Sequence, residues 1–274
     1  MVEISIEIVS NYDLRIFSLL ESIRKQTFQD YETIVSTDSQ ELVDLIKSFD
    51  IKIAYRENAG VLYRRMMAHK LSNGKKSLLL EASRFLSLDA LYKLSLIDNA
   101  MIVVEEKDMG KNFITRVQNI ERSANVHKTP TFSPNSLIVE PRVFSKPILD
   151  TAFQEIKAIP YPILIKMHYG DLDIIYHEAF KISHDISATV TPLIYHYTDE
   201  NVFGFIKKYY TYGKSNKYIK MTKYSKKFTL RNHLRPYYGI KESLQIYSLW
   251  LIKALAFGLG QFSPFTLNTR KPEK

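Results

Sequence analysis

The first hundred residues alternate short apolar runs with amphipathic ones, and this rhythm limits the fold more than any other feature of the chain. Ile4 to Val9 alternates apolar and polar residues, the period of a strand. Asp13 is placed to cap a helix from Leu14 to Lys25, whose Ile16, Leu19, Leu20 and Ile23 fall on one face. A strand over Thr33 to Val35, a helix from Gln40 to Phe49 and a strand from Ile51 to Tyr55 follow. A helix then covers Val61 to Leu71 and closes on the Asn73-Gly74 turn signal. Ser77 to Leu80 is a short buried strand, Ser87 to Ile97 a helix and Met101 to Val104 another strand. Strands alternating with helices imply a mostly parallel sheet with helices on both faces. Ligands bind such sheets at the carboxyl ends of the strands. The loops that matter are therefore Ser10–Asp13, Ser36–Gln40, Arg56–Gly60 and Glu81–Leu86.

The pattern is less regular beyond residue 105. Ile114 to Arg122 reads as a helix, SLIVEP within Pro130 to Val143 as a strand, and Ile163 to His168 as a helix. Leu172 to Tyr176 and Thr191 to His196 read as strands. There is no cysteine, which excludes disulfides, thiolate catalysis and thiolate zinc sites and points to an intracellular setting. The start, MVEISIEIVS, reads as a strand rather than a signal peptide. The net charge of +9 is concentrated: residues 201–241 hold eleven Lys or Arg and no Asp or Glu. Ten Phe or Tyr lie among these cations, and the apolar run Leu244 to Phe262 follows, interrupted by Lys253. Cations beside aromatic rings suit an anionic membrane interface. Lys253 and the length of the run favour an interfacial or re-entrant helix over a spanning one. The chain is thus expected to divide into a sheet domain, 1–200, and a basic aromatic helical part, 201–274. Its expected location is the cytoplasm, peripheral at the membrane face. Aromatics among cations also stack on nucleic acid bases, but no RNA-binding motif accompanies them.

Specific residues sharpen this reading. Leu20, Ser22, Ile23, Gln26, Thr27, Phe28, Tyr31, Glu32, Ile34, Val35 and Asp38 reproduce a spacing that ends in Q-T-F-x-D-Y-E and a strand. Gly60, Arg64 and the run Ser87-Leu88-Asp89-Ala90-Leu91-Tyr92-Lys93-Leu94 reproduce a second block. In these stretches the chain resembles the family 2 glycosyltransferases of the GT-A fold. Looser likeness continues through Ile194-Tyr195-His196, similar to a V-x-H strand, and Tyr209 to Gly213, similar to a Y-R-Y-G helix turn. The resemblance implies an α/β GT-A fold and a hexosyltransferase-type reaction. A sugar would pass from a nucleotide-diphosphate donor to a lipid-linked or glycan acceptor. It also implies that Asn11, Asp38, Arg64, Glu81, Ser83 and Arg84 contact the nucleotide sugar.

The departures fall at chemical positions. The family's P-x-Y-N is Val9-Ser10-Asn11-Tyr12, and Thr37 stands where the first of a pair of aspartates is usual. The metal-binding D-x-D is Glu81-Ala82-Ser83, followed by Arg84. Mg²⁺ or Mn²⁺ takes oxygen ligands and neutralises the leaving diphosphate. Here only Glu81 keeps a carboxylate, with His196 as the second candidate ligand. Arg84 offers a planar bidentate donor to phosphate in place of the cation, and Arg64 and Arg65 stand nearby in sequence. The family's E-D pair, which supplies the base, is replaced by Ile159-Pro160-Tyr161-Pro162. Glu155, Asp171 and Asp173 are the neighbouring carboxylates, and Glu155 is the closest candidate for the base. With two acidic motifs missing together, the alternative is a catalytically silent GT-A module that binds a nucleotide sugar, a glycan or a partner.

Overall fold

The computed structural model describes residues 2–127, 132–134, 140–197, 201–225 and 239–263. Its frame is a seven-stranded sheet. In chain order the strands are β1 (Ile4–Ser10), β2 (Tyr31–Thr37), β3 (Lys52–Tyr55), β4 (Lys76–Glu81), β6 (Met101–Val103), β8 (Val143–Ser145) and β9 (Ile186–Ala188). Their spatial order is β3-β2-β1-β4-β8-β6-β9. All neighbours are parallel except β8, which runs antiparallel to β4 and β6. A second sheet, of β5 (Arg84–Leu86), β10 (Ile194–His196) and β7 (Glu106–Asp108), has β10 at its centre. The helices are α1 (Ile16–Arg24), α2 (Gln40–Ile46), α3 (Val61–Lys70), α4 (Ala90–Ser95), α5 (Phe113–His127), α6 (Lys146–Ile156), α7 (Tyr161–Leu164), α8 (Asp171–Ile182), α9 (Val202–Ile219) and α10 (Ile240–Phe262).

β1 shows how sequence sets this frame. Ile4, Ile6 and Ile8 point into one apolar cluster with Leu19 and Leu20 of α1. Each such side chain contributes roughly 1.5–3 kcal/mol when fully buried. The alternation would leave Ser5 and Glu7 in water on the other face, yet both are completely buried. α3 covers that face, and His69 Nδ1 meets Glu7 Oε1 at 2.8 Å while its Nε2 meets Asp150 Oδ1 at 2.9 Å.

The Q-T-F stretch has an equally concrete role. Gln26 is buried at the end of α1 and its side-chain amide donates to Ser22 O and Ser87 O. Its Oε1 accepts from Leu91 N–H at 3.0 Å, and Ser22 Oγ accepts from Leu86 N–H at 3.0 Å. Two polar side chains thus satisfy backbone groups around the β5–α4 connection that packing has removed from water. This junction holds the segment after β4 in place.

Three expectations are corrected, and one helix is added. Leu172 to Tyr176 is not a strand but the start of α8, whose Leu172, Ile175, Tyr176 and Ala179 are buried at helical spacing. A short apolar run is ambiguous between the two states, and the Gly170 start with Asp171 and Asp173 in the first turn favours the helix. The helix expected over Ile163 to His168 is the single turn α7. α6 went unread, although Pro147 stands in its first turn. Asp13 caps no helix directly: its Oδ1 accepts from Arg15 N–H in a preceding turn and α1 begins at Ile16. The expected strand SLIVEP falls largely on residues 135–139, outside the described residues.

Candidate active site

A cavity of about 610 Å³ opens at the carboxyl ends of β1 and β4. β1 contributes Ser10 and the following Asn11, and β4 contributes Glu81, with Ser83 and Arg84 just beyond it. Arg64 of α3, Asp171 and Asp173 of α8, Arg142 before β8 and Lys253 of α10 complete much of the wall. Of the loops singled out from sequence, those after β1 and β4 border the cavity. Asp38 lies one step behind the wall, held by Arg64.

Arg64 anchors the wall beside the end of β1. Its side chain is 4% exposed, and Nη1 donates to Ser10 O at 2.5 Å and to Asp38 Oδ1 at 3.2 Å. Burial, reinforced by Arg65, pulls its pKa below the ordinary arginine value. The close approach of α3 to α7 depends on Gly60, where a Cβ would lie 2.6 Å from Ile165 O. His168 borders the same wall from its solvent side, its pKa lowered first by partial desolvation of the ring and then by Arg64.

The centre of the site is a cage of guanidinium groups. Arg65 of α3 is fully buried and donates to Leu80 O at 2.7 Å, to Glu81 Oε1 at 2.5 Å and to Asp171 Oδ2 at 3.0 Å. Arg142 donates from Nη1 to Glu81 Oε1 at 2.8 Å and from Nε to Glu106 Oε1 at 2.6 Å. Arg84 Nη2 stands 3.2 Å from Glu81 Oε2 and 3.3 Å from Glu106 Oε2. Arg122 of α5 also holds Glu106, and its Nε lies 3.2 Å from Asp108 Oδ2. Burial alone would raise the Glu81 and Glu106 carboxyls. The surrounding arginines, led by Arg142 and Arg84, outweigh it and hold both well below the usual carboxylate range.

His196 closes the cage from β10. Its Nδ1 is 2.7 Å from Asp108 Oδ1 and its Nε2 is 3.0 Å from Ser83 Oγ. Burial first, and Arg84 second, push its pKa down to about 4. The ring is therefore neutral at pH 7: Nδ1–H donates to the Asp108 carboxylate and Nε2 accepts the Ser83 hydroxyl.

These residues do not fit a divalent cation. The single carboxylate of the D-x-D position already faces three guanidinium groups, and both His196 nitrogens are committed. No cluster of three His, Asp or Glu suited to a metal ion occurs among the described residues. Arg84 Nε and Arg64 Nε are buried donors, and Glu81 Oε2 and Asp108 Oδ2 buried acceptors, without a hydrogen-bond partner among the described residues.

No protein-family model matches the sequence, and no curated protein sequence does. Solved structures do match. The crystal structure of S. aureus TarS 1–349 overlaps 93% of this chain and 81% of its own length, at 15% identity and a TM-score of 0.54. The same protein in complex with UDP-GlcNAc gives 14% identity and a TM-score of 0.56 over the same shares. The fold is GT-A. Against a longer TarS chain the overlap is 49% of that chain, so the present chain spans about half its length.

In this GT-A frame the sequence-derived residues separate. Asn11, Arg64, Glu81, Ser83, Arg84 and His196 all border the cavity. Glu155 does not. It sits on α6 with its side chain 58% exposed, paired to Lys223 at 3.1 Å. The helix that carries it turns its apolar side to the core, which sends Glu155 outward. Sequence reasoning missed Glu106, Asp108, Arg122 and Arg142. The acidic run Glu105-Glu106 at the end of a predicted strand was the available signal for the first two. Nothing local marks the two arginines, which arrive from distant parts of the chain.

Proposed function

We propose that this chain is a nucleotide-sugar glycosyltransferase that holds the donor diphosphate with arginine side chains in place of a divalent cation. The observation that carries the reading is the guanidinium cage at Glu81-Ala82-Ser83-Arg84, set at the strand ends of a GT-A sheet. Arg84 and Arg142 supply fixed positive charge where a leaving diphosphate gains negative charge. Donors aimed at developing charge in a water-poor site are worth more than in water and need no reorganisation. TarS has been crystallised with UDP-GlcNAc and with UDP, so UDP-GlcNAc is the first donor to test. The acceptor is a hydroxyl of a glycan or a lipid-linked sugar.

Asp171 takes the role of base. It borders the cavity and shares Arg65 with Glu81, which fixes it next to the cage. In the transfer step the acceptor O–H gives its proton to Asp171 and its oxygen bonds to the sugar C1. The bond from C1 to the diphosphate breaks, and its electron pair leaves on the phosphate oxygen. A positioned base contributes roughly 10²–10⁴-fold.

The test is sugar transfer or donor hydrolysis measured with and without EDTA. The expected rate is indifferent to EDTA and falls roughly 100-fold in Arg84→Gln. Asp171→Asn loses roughly 100-fold in turnover while UDP binding by calorimetry is kept. Glu155→Gln matches the unsubstituted protein. Dependence on Mn²⁺ overturns the arginine reading. UDP binding with no turnover on any nucleotide sugar overturns the enzyme reading in favour of a silent binding module.

A further inference from the structure

Lys253 is the one charge that interrupts the apolar run of α10, and it is turned inward. Its Nζ holds Glu121 of α5 at 2.9 Å, and Trp250 Nε1 donates to the other Glu121 oxygen at 2.6 Å. The opposite face of the helix is continuous. Leu244, Tyr247, Leu251, Leu255, Leu259 and Phe262 recur every three or four residues, and each is at least half exposed. They form a single stripe about 27 Å long at 1.5 Å per residue. An exposed apolar patch of this extent marks an interaction surface.

Charge says what covers it. Lys241 is exposed at the start of the helix. At the other end Lys220 Nζ reaches Gln261 Oε1 at 2.6 Å, and Lys217 reaches Ser263 O. Cations therefore stand at both ends of the stripe. The only acidic residue of α10 is Glu242. A second copy docked along the same stripe would bring these lysines against one another, in either orientation. An anionic lipid surface accepts both the apolar side chains and the lysines.

We infer that the outer face of α10 docks on an anionic lipid bilayer, with the helix lying in the plane of the headgroups. The helix is long and apolar enough to cross a membrane by length and composition alone. Its inner face argues for the in-plane arrangement. Ile246 and Leu249 are buried against Ile114 and Val117 of α5 and Phe205 of α9. Gly260 and Gly213 bring α10 and α9 into backbone contact, since a Cβ at Gly260 would lie 2.1 Å from Tyr210 O. Spanning would strip these contacts and the Lys253–Glu121 pair. The inference is independent of whether the cleft transfers a sugar.

The test is co-sedimentation of the full chain with vesicles of phosphatidylcholine and phosphatidylglycerol, and of phosphatidylcholine alone. Binding is expected to the mixed vesicles, weakened by added salt. The double substitution Leu251→Glu and Leu255→Glu is expected to lower the partition coefficient roughly tenfold or more. Both side chains are exposed, so the thermal midpoint stays within that of the unsubstituted protein. The only tryptophan, Trp250, reports the geometry: its emission holds steady on binding if α10 remains docked. A large emission shift overturns the in-plane arrangement. Equal sedimentation of the double variant, or no sedimentation with mixed vesicles, overturns the docking surface. So does a dimer in sedimentation equilibrium that the same two substitutions dissolve.

Discussion

Replacing Arg142 by methionine keeps the length and flexibility of the side chain and removes its charge. Arg142 is 7% exposed and joins the two central carboxylates, Glu106 at 2.6 Å and Glu81 at 2.8 Å. Removing one partner of a buried ion pair costs about 3–5 kcal/mol, because the other charge stays buried without it. Here each carboxylate retains two arginines: Glu81 keeps Arg65 and Arg84, and Glu106 keeps Arg84 and Arg122. That places the loss near the lower end, about 3 kcal/mol. At about 2–4 °C per kcal/mol for a chain of this size, the midpoint falls by roughly 6–12 °C. Urea unfolding followed by circular dichroism gives the free energy directly, with an unchanged slope expected. Adding Glu106→Gln removes one of the two carboxylates that Arg142 joins, so the two losses should not add, with a coupling of about 1–3 kcal/mol. A single variant that costs under about 1 kcal/mol, or a strictly additive pair, would refute the account of the cage.

Two further outcomes are expected. His196 is neutral in the fold with its pKa pushed down to about 4, against an ordinary value of 6.5. Between those values the unfolded chain binds a proton that the folded chain excludes. Stability is therefore full above pH 6.5 and declines as pH falls toward 4, by up to about 3 kcal/mol. The urea midpoint against pH should show this fall, and it should flatten in His196→Asn; an equal slope in both proteins counts against the neutral ring. Gly213→Ala places a Cβ 2.0 Å from Phe257 O and forces α9 and α10 apart. The expected cost is about 1–3 kcal/mol, with faster amide hydrogen exchange across Ile240–Phe262, and unchanged exchange there contradicts the backbone contact.

The frame was legible where local signals agree with packing. α1 follows from its period, which puts Ile16, Leu19, Leu20 and Ile23 on the buried face, and Gln26 and Ser87 from a spacing whose reason is a shared set of backbone hydrogen bonds. Reading failed where one apolar run suits two periods, as at Leu172 to Tyr176, which only the covering core resolves into a helix. At the site, the replacement of D-x-D by Glu81-Ala82-Ser83-Arg84 announced changed chemistry. It could not announce Arg122 and Arg142. They are separated from Glu81 by dozens of residues, and only the topology that inserts β8 between β4 and β6 brings Arg142 beside it. The same limit put Glu155 forward as the base for its nearness in sequence to the expected position, and the fold leaves it outside the cavity lining.

Guanidinium groups packed as closely as those of Arg65, Arg84 and Arg142 repel one another unless an anion lies among them. Glu81 is the anion that all three share, and Glu106 joins it for Arg84 and Arg142. It works as a placeholder, a built-in counter-ion that keeps the cations assembled and aimed while nothing else is bound. On the proposed function, a donor diphosphate entering the cleft competes with this carboxylate for the same guanidinium groups. Its net affinity is then a difference between two anions for one set of cations, and the carboxylate, tethered at the end of β4, stays within reach of them.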